Sequence, residues 1–425
     1  MRIDRHVAQA VMGLLGMVIH TTAVAAPASA PSIAPAHIQI VESVPKHSIY
    51  GEPGLARTPD VWRAMIESAH HRIDIAAFYV ADKPGEALAP VMHAIADRAK
   101  AGVEIRILTG PTFASETNKS LAPLAKLANV TIQRLPVDRL TGGVLHAKYF
   151  VVDGHAAFIG SANWDWRAMN QIHELGARID SPRMARTLDA TFDFDWRLAA
   201  DGDLPAARKR AAEPPTFEPV TRQAPVPVAN ANGRLTGTAF EAFSPPTLMP
   251  DWITTEQSAL VQLIRSARHD VHLQVMTLSA INEYGANGYW PVLDTALRDA
   301  AARGVTVQIV VADWALRQPM QAYLKSLAVL PNITVKYSHV PAAPRGFIPY
   351  ARVEHCKYAV ADGNALYIGT GNWTRSYFDA SVDAALFMHD ADTAHTLNDI
   401  FERDWNGPYV HTIEPGGHYN PPRTH

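Results

Sequence analysis

Short apolar runs of strand length alternate with longer stretches of helical periodicity, and the same order passes through the chain twice. In the first half, an amphipathic helix around Val61 to Ala69 precedes the strand Ile73–Tyr79. Helical spacing from Ala87 to Ala101 stops at Gly102, and the strands Val103–Leu108 and Val130–Arg134 follow. Next come an apolar strand after His146, the run Ala157–Gly160 and a helix across Arg183 to Trp196. The second half brings a helix over Glu256 to Ala267, the strand Val271–Met276 and a helix from Pro291 to Ala302. The strands Val305–Val311 and Ile333–Tyr337, a second apolar strand after His355 and a helix ending at Trp405 complete it. Strand-helix alternation of this kind predicts α/β lobes, each with a parallel or mixed sheet flanked by helices.

The polar residues repeat as well. His146-Ala-Lys148-Tyr-Phe-Val-Val-Asp153 returns as His355-Cys-Lys357-Tyr-Ala-Val-Ala-Asp362, displaced by 209 positions. The same displacement relates Gly160-Ser161-Ala-Asn163-Trp164 to Gly369-Thr370-Gly-Asn372-Trp373, and Glu174 to Asp383. Core packing does not require polar residues to stay in register over so long a stretch. Two equivalent half-sites predict one active site at a pseudo-twofold interface between pseudo-symmetric lobes.

Composition narrows the setting. With 48% apolar and 19% charged residues the chain is globular in type, and a net charge of −3 gives no broadly basic surface. A polyanionic substrate would have to be held by a local cluster. Residues 1–26 read as a secretory signal: Arg2 and Arg5, a mostly apolar stretch from Val7 to Ile19, then Ala23-Val-Ala25-Ala26. An uncleaved membrane anchor is the rival reading, and either implies export. Residues 27–45 are expected as an extended Pro/Ala leader, 46–200 as the first lobe, 201–250 as a Pro-rich connection over the surface, 251–410 as the second lobe and 411–425 as a tail. Cys356 is the only cysteine, which excludes an intramolecular disulfide; alternation on a strand turns it to the core, away from His355 and Lys357.

His-x-Lys on a strand places both side chains on one face, and the Gly-Ser/Thr-x-Asn turn brings a hydroxyl, an amide and backbone N–H groups to the same end. Paired lysines and carboxamides suit the oxygens of a phosphoryl group, and opposed histidines suit in-line displacement. One imidazole attacks phosphorus; the other protonates the leaving oxygen and later activates water. Glu174 and Asp383, each 28 residues beyond its histidine, are the candidates for orienting the rings. His70, His71 and His269 lack ligand spacing, so neither a metal site nor a cofactor is expected.

Both copies match H-x-K-(x)4-D-(x)6-G-[ST]-x-N, and the chain thereby resembles the phospholipase D superfamily. The resemblance implies two α-β-α sandwich lobes, a covalent phosphohistidine and no metal requirement. It makes His146, Lys148, Asn163, His355, Lys357 and Asn372 the core catalytic set, with Ser161 and Thr370 at the hydroxyl position and Glu174 and Asp383 at the acidic one. Asp153 and Asp362 are assigned to holding the turn. Thr370 for Ser and Asp383 for Glu are departures, which predict a slightly different geometry in the second half-site.

Val41–Pro45, Asp74–Tyr79, Gly143–His146, Gly160–Arg167, Ile348–Val353 and Ile400–Trp405 resemble the mammalian lysosomal branch, which also includes poxvirus envelope proteins. That branch contains 5′ exonucleases for single-stranded DNA and RNA, and lipid-modifying activities have been attributed to it. A nuclease needs aromatic platforms, for which Tyr284, Tyr289 and Trp290 are candidates, while Trp164, Trp166 and Trp373 are expected to wall the pocket. A phospholipase or phosphatidyl transferase would need an apolar rim, for which Phe347-Ile348 is the candidate. A catalytically dead scaffold is disfavoured by two intact His-Lys pairs. The expected partner is a phosphodiester substrate, with no obligate protein partner.

Overall fold

Lys148–Val152 and Lys357–Ala361 are buried along their whole length, each inside a mixed sheet of the computed structural model, which describes residues 34–282 and 288–425. The first sheet runs Ala56–Arg57, His37–Ser43, Glu174–Asp180, Ala156–Gly160, Lys148–Val152, Arg72–Ala77, Glu104–Thr109, Val130–Arg134. Its last three strands are parallel neighbours, and the pairings from His37–Ser43 through to Arg72–Ala77 are antiparallel. The second sheet repeats this order with Leu235–Ser244, Asp383–Asp390, Ala365–Gly369, Lys357–Ala361, Asp270–Val275, Thr306–Ala312 and Ile333–Ser338. Register is repeated too: Ala77 pairs with Lys148 as Val275 pairs with Lys357.

Alternation divides the first motif strand between two cores. Phe150 and Val152 pack with Trp62 and Phe158 beneath the helices Thr58–Glu67 and Ala89–Lys100. Tyr149 and Val151 join a larger cluster that runs from Leu188 and Phe192 in the first lobe to Leu397 and Phe401 in the second. Those four residues belong to the helices Pro182–Asp201 and Ala391–Trp405, capped at their starts by the side chains of Ser181 and Asp390. One core therefore spans both lobes, and Ala34–His425 forms a single compact unit.

The motif aspartates close the hairpins behind this core. Asp153 accepts hydrogen bonds from the backbone N–H groups of His70, His71 and Arg72, each at 2.8 Å. Asp362 accepts from those of Arg268, His269 and Asp270. Both aspartates have positive φ (53° and 52°) and precede a glycine of positive φ, the conformation a tight hairpin turn requires. They hold the turns at the ends of the motif strands, away from the histidines.

Three boundaries differ from expectation. The connection 201–250 is not merely a surface passage: Val226–Ala229 and Leu235–Ser244 are strands, and the latter pairs with Asp383–Asp390 over eight residues. The leader likewise ends in a sheet strand, His37–Ser43, paired with Glu174–Asp180. In the tail region, Val410–Thr412 extends the second sheet beside Ile333–Ser338. Flanking prolines and glycines obscure these strands, whose pairing partners lie far away in sequence. The candidate signal segment 1–26 and Tyr284 lie outside the described residues. Among the described residues, no helix is long and apolar enough to cross a membrane.

Candidate active site

The segment ahead of each motif strand leaves its own sheet and pairs with the other lobe. His146 N–H donates to Val382 O at 2.9 Å, and Val382 N–H donates to Val144 O at 2.9 Å. Reciprocally, His355 N–H donates to His173 O (2.9 Å) and His173 N–H to Val353 O (3.1 Å). Each histidine is thus laced to the residue preceding the opposite lobe's carboxylate. As a result the ring-orienting pairs cross: His146 Nδ1 lies 2.9 Å from Asp383 Oδ1, and His355 Nδ1 lies 2.7 Å from Glu174 Oε2. The matched 28-residue spacing places each acid at the equivalent point of its own lobe, but the imidazole it holds belongs to the other.

Within each lobe the hydroxyl holds the acid. Ser161 Oγ donates to Glu174 Oε2 and Thr370 Oγ1 to Asp383 Oδ1, both at 2.6 Å. Each hydroxyl in turn accepts from the following backbone N–H, Leu175 or Ala384. The shorter Asp383 is accommodated with the same set of bonds. Lys148 and Lys357 are completely buried and curl back to the carbonyl oxygens of His146 and His355.

Burial governs the electrostatics. Burial, reinforced by the neighbouring lysines, holds both imidazoles well below the ordinary histidine range, so they are neutral at neutral pH. Burial lowers Lys357 to about 8, against the pull of Glu174, and takes Lys148 well below its usual value. It raises Asp383 to about 7 and Glu174 well above the carboxylate range, against the lysines and the hydroxyl donors. With Nδ1 turned to a carboxyl group, Nε2 is the ring nitrogen left to react. An entering anion would restore the ammonium charges that desolvation disfavours.

His146, His355, Asn163 and Asn372 open together on one cavity of about 600 Å³. The Oδ1 atoms of both asparagines are buried with no hydrogen-bond partner in the protein; toward a phosphoryl oxygen each amide would present its NH2, the donor. Aromatic rings supply much of the remaining wall, among them Phe78, Phe113, Trp166, Trp314, Tyr350 and Tyr377.

The family described as "Cardiolipin synthase, PLD-like domain" matches residues 62–196 and 260–405, one copy per lobe. The chain belongs to the phospholipase D superfamily. It is 31% identical over 417 residues to the 5'-3' exonuclease PLD3 of Bos taurus, covering 91% of this chain and 82% of that protein. Identity to the 5'-3' exonuclease PLD4 of Mus musculus is also 31%, over 412 residues, covering 88% and 79%. The crystal structure of phosphatidylserine synthase from Haemophilus influenzae Rd KW20 superposes with a TM-score of 0.60 at 13% identity, over 84% of this chain and 86% of that one. That likeness shows the fold. The chain is a phospholipase D-superfamily phosphodiesterase with two α/β lobes.

Within this phospholipase D fold, several side chains are not where the sequence led us to expect them. Trp164 is buried against Trp62 (4.4 Å between centroids), and Trp373 against Tyr367. Both are core residues; of the three tryptophans expected as pocket walls, only Trp166 lines the cavity. Tyr289 is exposed away from the cavity and bonds to Asp294, while Trp290 is buried on Phe378. The apolar rim shrinks to Phe347, over which the Arg423 guanidinium lies at 4.4 Å, because Ile348 is buried. Phe78 and Tyr350 stand in stretches already singled out for resemblance, Asp74–Tyr79 and Ile348–Val353, so a signal existed for them; for Phe113 there was none.

Cys356 is fully buried, as strand alternation requires, and its neighbours form an ion network behind the second half-site. His173 Nε2 lies 2.9 Å from Glu42 Oε1, its Nδ1 bonds to Glu354, and Arg403 pairs with Glu42 and Asp404. His173, Glu354 and Cys356 bring donor atoms within 4.8 Å of one another, close enough to share a metal ion. His173 and Glu354 are, however, already engaged in this network. The equivalent positions behind the first half-site are apolar: Val382, Leu145 and Phe243, which pairs with Ala384 as Glu42 pairs with Leu175.

Proposed function

We propose that this phosphodiesterase is an exported 5′ exonuclease of single-stranded nucleic acid that works through a covalent phosphohistidine. The observation that carries the chemistry is the crossed pairing: two neutral imidazoles, each held by the opposite lobe's carboxyl group, open on one cavity with both asparagines. With the phosphodiester anion bound, the second imidazole takes up a proton; Nε2 of the first then attacks phosphorus, and the P–O bond to the leaving oxygen breaks as that oxygen takes the Nε2 proton of the second, which returns to its neutral form. The second imidazole then removes a proton from water, whose oxygen displaces the first histidine from phosphorus. Lys148, Lys357, Asn163 and Asn372 hold the non-bridging oxygens as their charge redistributes.

Support for nucleic acid comes from relatives named as 5'-3' exonucleases, matched along most of both chains, and from the aromatic cavity wall. A phospholipid substrate is the runner-up, and the single-residue rim gives it little to rest on. Export rests on the signal-type segment 1–26. Incubating the purified chain with 5′-hydroxyl single-stranded DNA and, separately, with phosphatidylcholine vesicles tests the reading. Nucleotide release is expected; release of choline alone refutes it. His146→Ala and His355→Ala should each abolish turnover, and a chelator should leave the wild type active, since each step above uses the chain's own side chains.

A further inference from the structure

Among the rings that line the cavity, Phe113 stands apart. It is 57% exposed, the most exposed of the set, and it heads the helix Ala114–Leu121 with φ of 55° and ψ of 29°. A bulky residue in the left-handed region is strained where glycine or asparagine would be comfortable, so the position retains an aromatic ring at a conformational cost. The ring is fixed from beneath by edge contacts to Phe78 (5.6 Å, 77°) and Tyr79 (5.1 Å, 61°). Phe78 in turn lies 4.8 Å from the His146 imidazole. Phe113 therefore stands two ring contacts from a reacting histidine.

Two of its neighbours in the wall are already occupied. Trp166 has Lys83, Arg167 and Arg345 over its ring, at 4.5, 5.7 and 5.3 Å. Tyr350 carries Arg167 at 5.7 Å and stacks with His425 at 6.2 Å. Among the described residues, no cation or imidazole lies over Phe113. A fixed, exposed π face beside a phosphoryl pocket is the recognition element of a planar aromatic ligand group joined to phosphate.

We propose that Phe113 is a stacking platform for the nucleobase adjacent to the scissile phosphate, on the His146 side of the cavity. This rests on the nuclease reading and deepens it. Stacking on a phenyl face is indifferent to base identity, so the platform supports an enzyme that removes successive nucleotides whatever their sequence.

The test compares kcat/KM of the full chain on a 5′-hydroxyl oligothymidylate and on a strand of equal length whose two 5′-terminal residues lack bases. Phe113→Ala should cost about 10- to 100-fold on oligothymidylate, mainly in KM, and the penalty should shrink several-fold on the strand lacking those bases. Phe113→Leu, which keeps bulk and loses the π face, should follow Ala, while Phe113→Trp should rescue. Equal penalties on the two strands, or a Trp variant as poor as Ala, would overturn the proposal. Wild-type protein that releases nucleotides from neither strand, but choline from phosphatidylcholine vesicles, would instead sink the nuclease reading on which it rests.

Discussion

Replacing Glu174 with Gln tests the crossed architecture directly. In the wild type Glu174 Oε2 lies 2.7 Å from His355 Nδ1 and accepts from Ser161 Oγ at 2.6 Å, with Glu174 and Ser161 fully buried. The amide is nearly isosteric but can present an N–H to Nδ1, which would trap the ring with its proton on Nε2, the wrong tautomer for attack or for activating water. Loss of acid-base competence at one imidazole is worth about 10²- to 10⁴-fold in kcat, or about 3–5 kcal/mol of transition-state stabilisation. Stability should move differently. Burial raises the Glu174 pKa above its unfolded value, so its contribution is full below the unfolded pKa and is lost as pH rises through the folded one. A neutral amide should therefore leave the melting temperature at pH 7 to 8 equal or higher while turnover collapses. Nitrogen-labelled histidine NMR assigns the partner: Glu174→Gln should perturb the Nδ1–H resonance that His355→Ala removes. Perturbation of the His146 resonance instead, with His355 untouched, would refute crossing and restore pairing within a lobe.

Other outcomes follow from the same geometry. Lys357, lowered to about 8, should make kcat/KM fall as pH rises through that value, and the step should vanish from the pH profile of a Lys357→Arg variant that retains measurable turnover. Asp153→Ala removes the acceptor of three backbone N–H bonds and leaves alanine at positive φ; a loss of about 1–3 kcal/mol in denaturant unfolding is expected, with kcat of the folded fraction unchanged. Glu42→Ala leaves His173 and Arg403 short of a buried partner and should cost about 3–5 kcal/mol in the same measurement. Glu42 itself, pulled down to about 2 by His173 and Arg403 despite its burial, contributes stability above its unfolded pKa that should fade as pH falls toward 2.

Much of this molecule is legible in its sequence because periodicity and repetition are local facts. The helices Thr58–Glu67, Ala89–Lys100 and Pro182–Asp201 each fall within a few residues of their apolar patterns. Alternation alone turns Cys356 inward, and Asp153 and Asp362 hold the turns to which the motif assigns them. Leu235–Ser244 is not legible in this way, since its Glu241 is buried and its identity as a strand depends on Asp383–Asp390 beside it. The tryptophans after the catalytic turns mislead because chain proximity to a site does not set direction: Trp164 turns inward against Trp62 and Phe150.

What the chain determines by itself is the inventory: two copies of every reacting group, spaced alike, on elements that form for reasons local to each. Which copy serves which was decided only when Leu145 paired with Val382 and His173 with Glu354, lacing each histidine to the far lobe. A spacing in sequence constrains distance along one strand path, whereas a hydrogen bond between lobes depends on how two sheets close over a common core. That closure belongs to the assembled tertiary structure and to no single segment of it.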